Sequence, residues 1–325
     1  MKKIIATVGP SLLHTTPLKD VHTNKNIYRI NGAHGSIEDI EKYILEIRSQ
    51  VSNAKILMDL PGNKVRTANF EDGYIDIEDN KEFTISFNQT NYQEFFQHLK
   101  IGADVWANDS IYRFTVKRID VEVTKITFLS HSTGRLLNNK GMHVRGIHAN
   151  IPFLFDKDKK LIKLANKYNL DFVGLSFVRN AKDIKIAKKL IETSEIISKV
   201  ETLSAINNLD EILEEVEYIL IDRGDLSTEI GLEKVPSYQN FIIDKALFYN
   251  KKIFLATQFL KSMEHNPLPT IAETIDLYNS LKSGIYGIQM SEETAIGKYP
   301  DKCLDVINDL MGEIKSEYIG EIHER

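Results

Sequence analysis

The sequence predicts an α/β fold: a parallel (β/α)8 barrel, the TIM-barrel architecture, carrying a small inserted β-rich lid domain after strand three. Three features predict it. Eight short runs rich in β-branched residues recur along the 325 residues. Each is nearly continuous in hydrophobicity, which is how parallel strands covered on both faces read. Helical apolar spacing follows all but two of the runs. The third run is followed instead by alternating strand patterns, so one β insertion interrupts a regular strand–helix rhythm.

Strand one is read over Lys3–Val8, followed by a short connection, Leu12–Thr23, with no clear period. Strand two is Ile27–Ile30. The helix behind it starts after Ser36, an N-cap with Asp39 three residues on, and places Ile37, Ile40, Ile44, Ile47 and Val51 at roughly helical spacing. Strand three is Ala54–Leu60. Strand patterns then follow at Tyr74–Ile77, Glu82–Asn88, Ile111–Ile119 and Glu122–Leu129. Residues 1–67 and 148–325 are thus assigned to the barrel and 68–147 to the lid. The hinges are expected near Arg66–Thr67 and Gly141–Gly146, where glycines permit rotation. Strands four to eight are Asp171–Phe177, Glu195–Val200, Tyr218–Ile221, Lys252–Ala256 and Gly287–Met290. The remaining helices are Lys157–Tyr168, Ala181–Glu192, Ala205–Val216, Tyr238–Asn250, Ala272–Lys282 and Lys302–Ile314. An open doubly wound sheet is the competing fold, but no G-x-G-x-x-G follows a strand, which removes the usual sign of its dinucleotide-binding version.

A formal net charge of -5 excludes a whole-molecule polyanion binder, so nucleic acid is not an expected partner, although a local basic cleft can still hold phosphates. Cys303 is the single cysteine, which leaves no disulfide framework and no thiolate metal cluster and fits a reducing cytosol. Met1-Lys2-Lys3 leads too quickly into polar residues for a secretory leader. No apolar run approaches the ~20 residues of a membrane span. A cytoplasmic location without a membrane partner is the expectation.

In such a barrel the reacting groups come from the C-terminal ends of the strands. Those ends are Thr7-Val8-Gly9-Pro10-Ser11, Arg29-Ile30-Asn31 with His34 beyond, Asp59 followed by Lys64 and Arg66, Ser176, Lys199 with Glu201, Arg223-Gly224-Asp225, Thr257-Gln258, and Ser291-Glu292-Glu293-Thr294. One polar residue at one strand end is ordinarily a solvated terminus. Eight strands that all deliver ionisable or hydroxyl groups to one rim describe a site.

Lys199 and Glu201 are two apart and point to the same side of a strand. A lysine inside the apolar run Ile196–Val200 is costly to bury unless it is paired or functional, and an ion pair is the simple alternative. Glu201 and Asp225, from adjacent strands, suit a hard cation such as Mg²⁺, although Asp225 also reads as a helix N-cap. Free backbone N–H groups at Gly224 and Asp225 suit a carboxylate or phosphate. Arg29, Arg66 and Lys140 lie near the barrel–insertion cleft and suit phosphate oxygens, with surface ion pairs as the alternative. A lone His34 after a strand is more often structural. Arg223-Gly224-Asp225 also spells an adhesion tripeptide, a chance triplet in a barrel loop.

The runs IIATVGPS, YRINGAHGS, ILMDLPGNKVRT, NKGMHVRG, LDFVGLSFVR, ISKVET, RGDLSTEIG, ATQFLKSM, NPLPTIAET and MSEETAIGKYP resemble the pyruvate kinase family, in the same order. The resemblance is weakest over Ala68–Thr133. It implies a mobile β lid over ADP or ATP and an enol phosphate such as phosphoenolpyruvate. It further implies Lys199 at the phosphoryl group in flight, Glu201 and Asp225 on Mg²⁺ or Mn²⁺, Thr257 at proton delivery, Arg29 as a catalytic cation, and Ser176, Gly224 and Asp225 on the substrate side. Pro10, Asn31, His34, Arg66 and Lys140 fall at phosphate- or nucleotide-side positions. Metal plus cations would neutralise the charge on the transferring phosphoryl oxygens.

The departures are specific. The family's C-terminal regulatory domain is absent from the sequence, so sugar-phosphate activation through it is not expected, and a monomer or homodimer is. The monovalent-cation site is altered: Asn-x-Ser is Asn31-Gly32-Ala33, Asp-Thr is Asp59-Leu60, and the accompanying Glu is Lys64. An ammonium at Lys64 can replace the ion's charge, so activity without K⁺ is expected. Thr-Lys-Gly-Pro is Leu60-Pro61-Gly62-Asn63, Asn-Leu-Pro is His143-Val144-Arg145, Pro-Thr-Arg is Pro269-Thr270-Ile271, and Ser-Gly-Glu is Ser291-Glu292-Glu293. These changes keep three alternatives open beside a pyruvate kinase-like phosphotransferase: a specialised enzyme acting on another small acid in a biosynthetic pathway, a metal-dependent lyase or aldolase on pyruvate-like enolates, and an inactive binding homologue.

Overall fold

A computed structural model describes residues 1–108, 111–146 and 151–323. The chain enters through β1 (Lys3–Thr7), a π-helical turn at Ser11–Thr15 and α1 (Leu18–Val21), then β2 (Asn26–Asn31), α2 (Ile37–Gln50) and β3 (Ile56–Asp59). Ser36 caps α2 as expected: its hydroxyl accepts the Asp39 N–H, and the Asp39 carboxylate accepts the Ser36 N–H. Ile40, Ile44 and Ile47 are the buried stripe of that helix.

After β3 come β4 (Tyr74–Ile77), β5 (Glu82–Ser86), β6 (Asp104–Ala107), β7 (Tyr112–Asp120), β8 (Lys125–Ser130), β9 (Gly134–Leu137) and β10 (Met142–His143). They form a five-stranded antiparallel sheet in the order β10-β6-β7-β8-β5 and a two-stranded sheet β4-β9. A core separate from the barrel's holds them, built on Phe95, Phe114, Phe128, Val105 and Val116. Three of these strands, β6, β9 and β10, go beyond the expected four. The strand expected to run to Asn88 stops at Ser86, where a 3-10 turn takes over at Phe87–Gln89. The strand expected from Glu122 starts at Lys125, because Thr124 turns the chain at φ 53. The expected return to the barrel at residue 148 lies outside the described residues.

The second half alternates α3 (Asp156–Lys167), β11 (Phe172–Leu175), α4 (Ala181–Lys188), β12 (Glu195–Val200), α5 (Leu203–Asn207), α6 (Leu209–Glu215), β13 (Tyr218–Asp222), α7 (Arg223–Ile230), α8 (Val235–Phe248), β14 (Lys252–Ala256), α9 (Ile271–Lys282), β15 (Gly287–Met290), α10 (Glu292–Ala295) and α11 (Pro300–His323). The single helix expected over Ala205–Val216 is two, broken at Asn208, whose amide donates to the Arg179 carbonyl at 3.0 Å. α7 was not anticipated.

All eight expected barrel strands are present. They close in the order β1-β15-β14-β13-β12-β11-β3-β2, with every ladder parallel. The closing seam pairs Lys3 with Gly287. A side chain at Gly287 would run into the Lys3 carbonyl oxygen, so the seam requires a glycine there. The lumen is filled at its lower end by Ile5, Ile27, Leu57, Phe172, Ile197, Leu220 and Phe254. No helix among the described residues is long and apolar enough to cross a membrane.

Candidate active site

The site follows from the strand period of two. Two residues beyond lumen-facing Ile27, Leu57, Ile197 and Leu220 come Arg29, Asp59, Lys199 and Asp222. Strand register sets them at one end of the barrel, with Asn31 opposite Asp59 and Asp222 opposite Ala256. Hydrophobic lumen thus gives way to charge within one step on four strands.

Lys199 is the centre of this cluster and is almost fully buried. Its Nζ donates to Ser176 Oγ at 3.0 Å and stands 3.5 Å from Glu201 Oε2 and 3.7 Å from both Asp59 Oδ2 and Asp222 Oδ2. Burial disfavours the ammonium, but Asp59, Glu201 and Asp222 together outweigh it and raise the lysine above its ordinary range, so it is charged at neutral pH. Arg29 grips Asp59 through Nε at 2.7 Å and Nη2 at 2.6 Å, and its Nη1 donates to Thr7 Oγ at 2.8 Å. Ser176 in turn donates to the Leu60 carbonyl at 2.7 Å.

Glu201 is pushed up to about 8, first by burial and then by Asp225 and Asp222, with Lys199 opposing. One of its oxygens accepts the Phe177 N–H at 2.6 Å. The other is buried and accepts no hydrogen bond from the described residues. Burial raises Asp222 as well, against the pull of Lys199. Asp225 goes the other way: burial raises it, but Lys64 and Lys199 together hold it far below the usual carboxylate range.

Glu201, Asp222 and Asp225 each present an oxygen within 4.8 Å of the other two. That spacing, with a buried Glu201 oxygen that accepts no hydrogen bond from the described residues, fits a hard divalent cation with oxygen ligands. Asp222 was not among the candidates read from the sequence. Asp225 is not the N-cap of α7, and it stands in that helix's first turn rather than on a strand; the cap is Asp222, whose Oδ1 accepts the Gly224 N–H at 3.2 Å. The Gly224 N–H is not free as expected, because it also donates to Thr257 Oγ at 2.9 Å.

Lys64 Nζ meets Asp225 Oδ1 at 2.6 Å. Gly141 leaves the room for it, since a Cβ at that position would stand 2.7 Å from Lys64 Cε. Lys64 therefore lies against the Glu201–Asp222–Asp225 carboxylate set, while Asn31 turns its Oδ1 to the Ala33 N–H at 3.1 Å and Asp59 is taken by Arg29 and Lys199.

The expected nucleotide-side residues have partners of their own. His34 is held below its usual range by partial burial and by Arg66, Arg29 and Lys157, which places several cations at one stretch of the rim. Lys157, at the start of α3, donates to the carbonyls of Ala33 and Gly35 and was also missed in the sequence. Arg66 donates to the Asn139 carbonyl at 3.1 Å and bridges Gly141. Lys140 pairs through its backbone with Thr67, and Pro10 starts the turn at Ser11–Thr15. From the insertion, His143 Nε2 reaches Glu229 Oε2 on α7 at 2.9 Å.

Comparison with known proteins agrees with this arrangement. A family model described as the pyruvate kinase barrel domain matches residues 1–304. A pyruvate kinase of Geobacillus stearothermophilus is 31% identical over 95% of this chain and 56% of its own length. One of Borreliella burgdorferi is 33% identical over 97% of this chain and 68% of its own, and one of Dictyostelium discoideum is 30% identical over 96% and 66%. The chain spans a little over half the length of the first of these relatives. A closed eight-stranded barrel, an antiparallel insertion after β3, and matches of this extent together show that the chain belongs to the pyruvate kinase family.

Proposed function

We propose that the chain transfers a phosphoryl group between an enol phosphate such as phosphoenolpyruvate and ADP, with Mg²⁺ or Mn²⁺ and without K⁺. The carrying observation is the buried, charged Lys199 beside three carboxylates that can share one cation. In the transfer, the bond from phosphorus to the enol oxygen breaks, an ADP oxygen bonds the phosphorus, and the enolate carbon takes a proton to give pyruvate. Negative charge spreads over the phosphoryl oxygens as this happens, and preorganised positive charge is the main source of rate.

Lys199 supplies that charge at a fixed place, because Ser176 and the surrounding carboxylates hold its Nζ. Arg29 adds a second cation, oriented by Asp59 and Thr7. Glu201, Asp222 and Asp225 would hold the divalent ion, which when bound neutralises and aligns phosphate oxygens. The start of α7 at Gly224 and Asp225 would take the substrate carboxylate only by displacing the Thr257 and Asp222 oxygens that accept these N–H groups. His34, Arg66, Lys140 and Lys157 suit the nucleotide phosphates, with Pro10 and Asn31 beside them. The Thr257 hydroxyl would deliver the proton to the enolate carbon. Lys64, ion-paired with Asp225, supports independence from K⁺ by contributing a tethered monovalent charge.

The test is pyruvate release from phosphoenolpyruvate and ADP with Mg²⁺, with and without K⁺. Turnover that is indifferent to K⁺ and lost in Lys199→Ala is expected. No turnover, with ADP still binding, would reject phosphoenolpyruvate as the substrate and favour another small acid.

A further inference from the structure

Thr257 and Gln258, directly after β14, adopt φ of 74° and 57°. A β-branched residue in this left-handed region is a steric outlier and persists only where its surroundings over-determine it. One side chain clamps the backbone here. Arg223 donates to the Thr257 carbonyl through Nε at 3.1 Å and Nη2 at 2.6 Å. Its remaining arm, Nη1, is fixed by Asp276 of α9 at 2.8 Å. Its guanidinium lies over the Phe259 ring at 4.0 Å. A planar fork seated on an aromatic face and pinned by a carboxylate has little freedom.

We infer that Arg223 is a positioning residue: by clamping the Thr257 carbonyl it holds the strained backbone that aims the Thr257 hydroxyl into the site. The consequence at the hydroxyl is visible. Thr257 Oγ accepts the Gly224 N–H at 2.9 Å and donates to the Ala256 carbonyl at 2.6 Å, so it stands at the start of α7, one residue from Asp225. Arg223 and Gly224 are successive residues. One therefore fixes the backbone of Thr257 while the other fixes its side chain. The first letter of the apparent adhesion tripeptide is thus an internal strut, half-buried and engaged within its own barrel.

This inference rests on the reading of Thr257 as the group that hands a proton to the enolate. Its readout is the exchange of pyruvate methyl hydrogens with solvent in the presence of ATP and Mg²⁺, measured beside phosphoryl transfer. Arg223→Gln is expected to slow the exchange by about 10- to 100-fold, a general-acid-sized effect, with the KM for phosphoenolpyruvate changed less than about twofold. Arg223→Lys, which keeps the charge without the fork, restores only part. In a Thr257→Ala background Arg223→Gln has no further effect on exchange. Equal losses in exchange and in KM, or losses that multiply in the Thr257→Ala background, would overturn the inference. Asp276→Asn frees the guanidinium without removing it and gives a smaller change of the same sign should Arg223→Gln fold poorly. A wild-type protein silent in exchange sinks the proton-delivery reading alone. The crystal structure of Arg223→Gln then decides the positioning claim: φ at residue 257 relaxing to negative values supports it, and φ staying near its wild-type value overturns it.

Discussion

The two ends of the barrel lumen are built by the same strands and could hardly differ more. At the lower end, Phe172, Tyr218, Phe254 and Tyr286 meet edge to face, with Phe172–Tyr218 and Phe254–Tyr286 centroids both 5.4 Å apart. Toward the other end, beyond lumen-facing Ile27, Leu57, Ile197 and Leu220, the inward positions are Arg29, Asp59, Lys199 and Asp222. The aromatic end gains stability by excluding water from large apolar surfaces. The charged end does the opposite, since burying ions rarely stabilises a fold. A chain that tolerates such a cluster spends lower-end stability on upper-end chemistry, which is the usual division of labour in these barrels.

The difference can be broken from either side. Lys199→Ala is expected to lower phosphoryl transfer by about 10³-fold or more, a loss typical of a group that meets developing charge; an initial-rate assay checks it, and a surviving rate within tenfold would refute the role. Phe254→Ala at the other end should cost about 3–5 kcal/mol of stability while leaving the rate per folded molecule unchanged. Urea unfolding followed by an activity titration separates the two quantities.

A buried acid outside the lumen sharpens the contrast. Asp158 on α3 accepts the Gly62 N–H at 2.9 Å and the Phe155 N–H at 2.7 Å, two neutral donors where Asp222 has the Lys199 ammonium. Burial wins over these bonds and pushes it up to about 6 from an ordinary 3.8. Because the folded value lies above the unfolded one, this group's contribution is full below about pH 4 and is lost as pH rises through about 6. The difference corresponds to about 3 kcal/mol. Wild-type stability should therefore fall by up to that amount more than that of Asp158→Asn between about pH 4 and pH 7; parallel curves would contradict it.

The smallest expected effect lies at the boundary between the two ends. Gln289 is almost fully buried, paired in register with lumen-facing Ile5 and Ala256, and neither atom of its amide has a hydrogen-bond partner among the described residues. Gln289→Met, close in volume, should raise stability by about 1–2 kcal/mol by removing an unsatisfied amide. A loss in the urea midpoint would show that the amide is satisfied in solution.

The barrel was legible because eight continuous apolar runs alternating with amphipathic helices fit little besides a parallel sheet covered on both faces, and Lys199 was legible because an ammonium interrupts one of those runs. Asp222 was not. At the end of the run Tyr218–Asp222 it reads as the first polar residue of a turn, and only the closed sheet shows that it points inward beside Lys199. Lys157 hid in the charged run Asp156–Lys160, which reads as a solvated helix face. α7 escaped because Arg223–Ile230 lacks an apolar stripe; its start is fixed by the Asp222 cap. The short strands β6, β9 and β10 depend on partners in the sheet more than on their own residues, as β-propensity generally does.

The seam between β1 and β15 has a consequence for how the molecule comes into being. Lys3 leaves the ribosome long before its edge partner Gly287 is translated. Throughout that interval β1 has one ladder, to β2, and an open edge of unpaired amides and carbonyls. The inserted sheets need only residues 74–143 and can order while the barrel is still being made. Nascent chains arrested before Gly287 should therefore carry a folded insertion on an unclosed barrel, the state most exposed to strand pairing with a neighbouring chain.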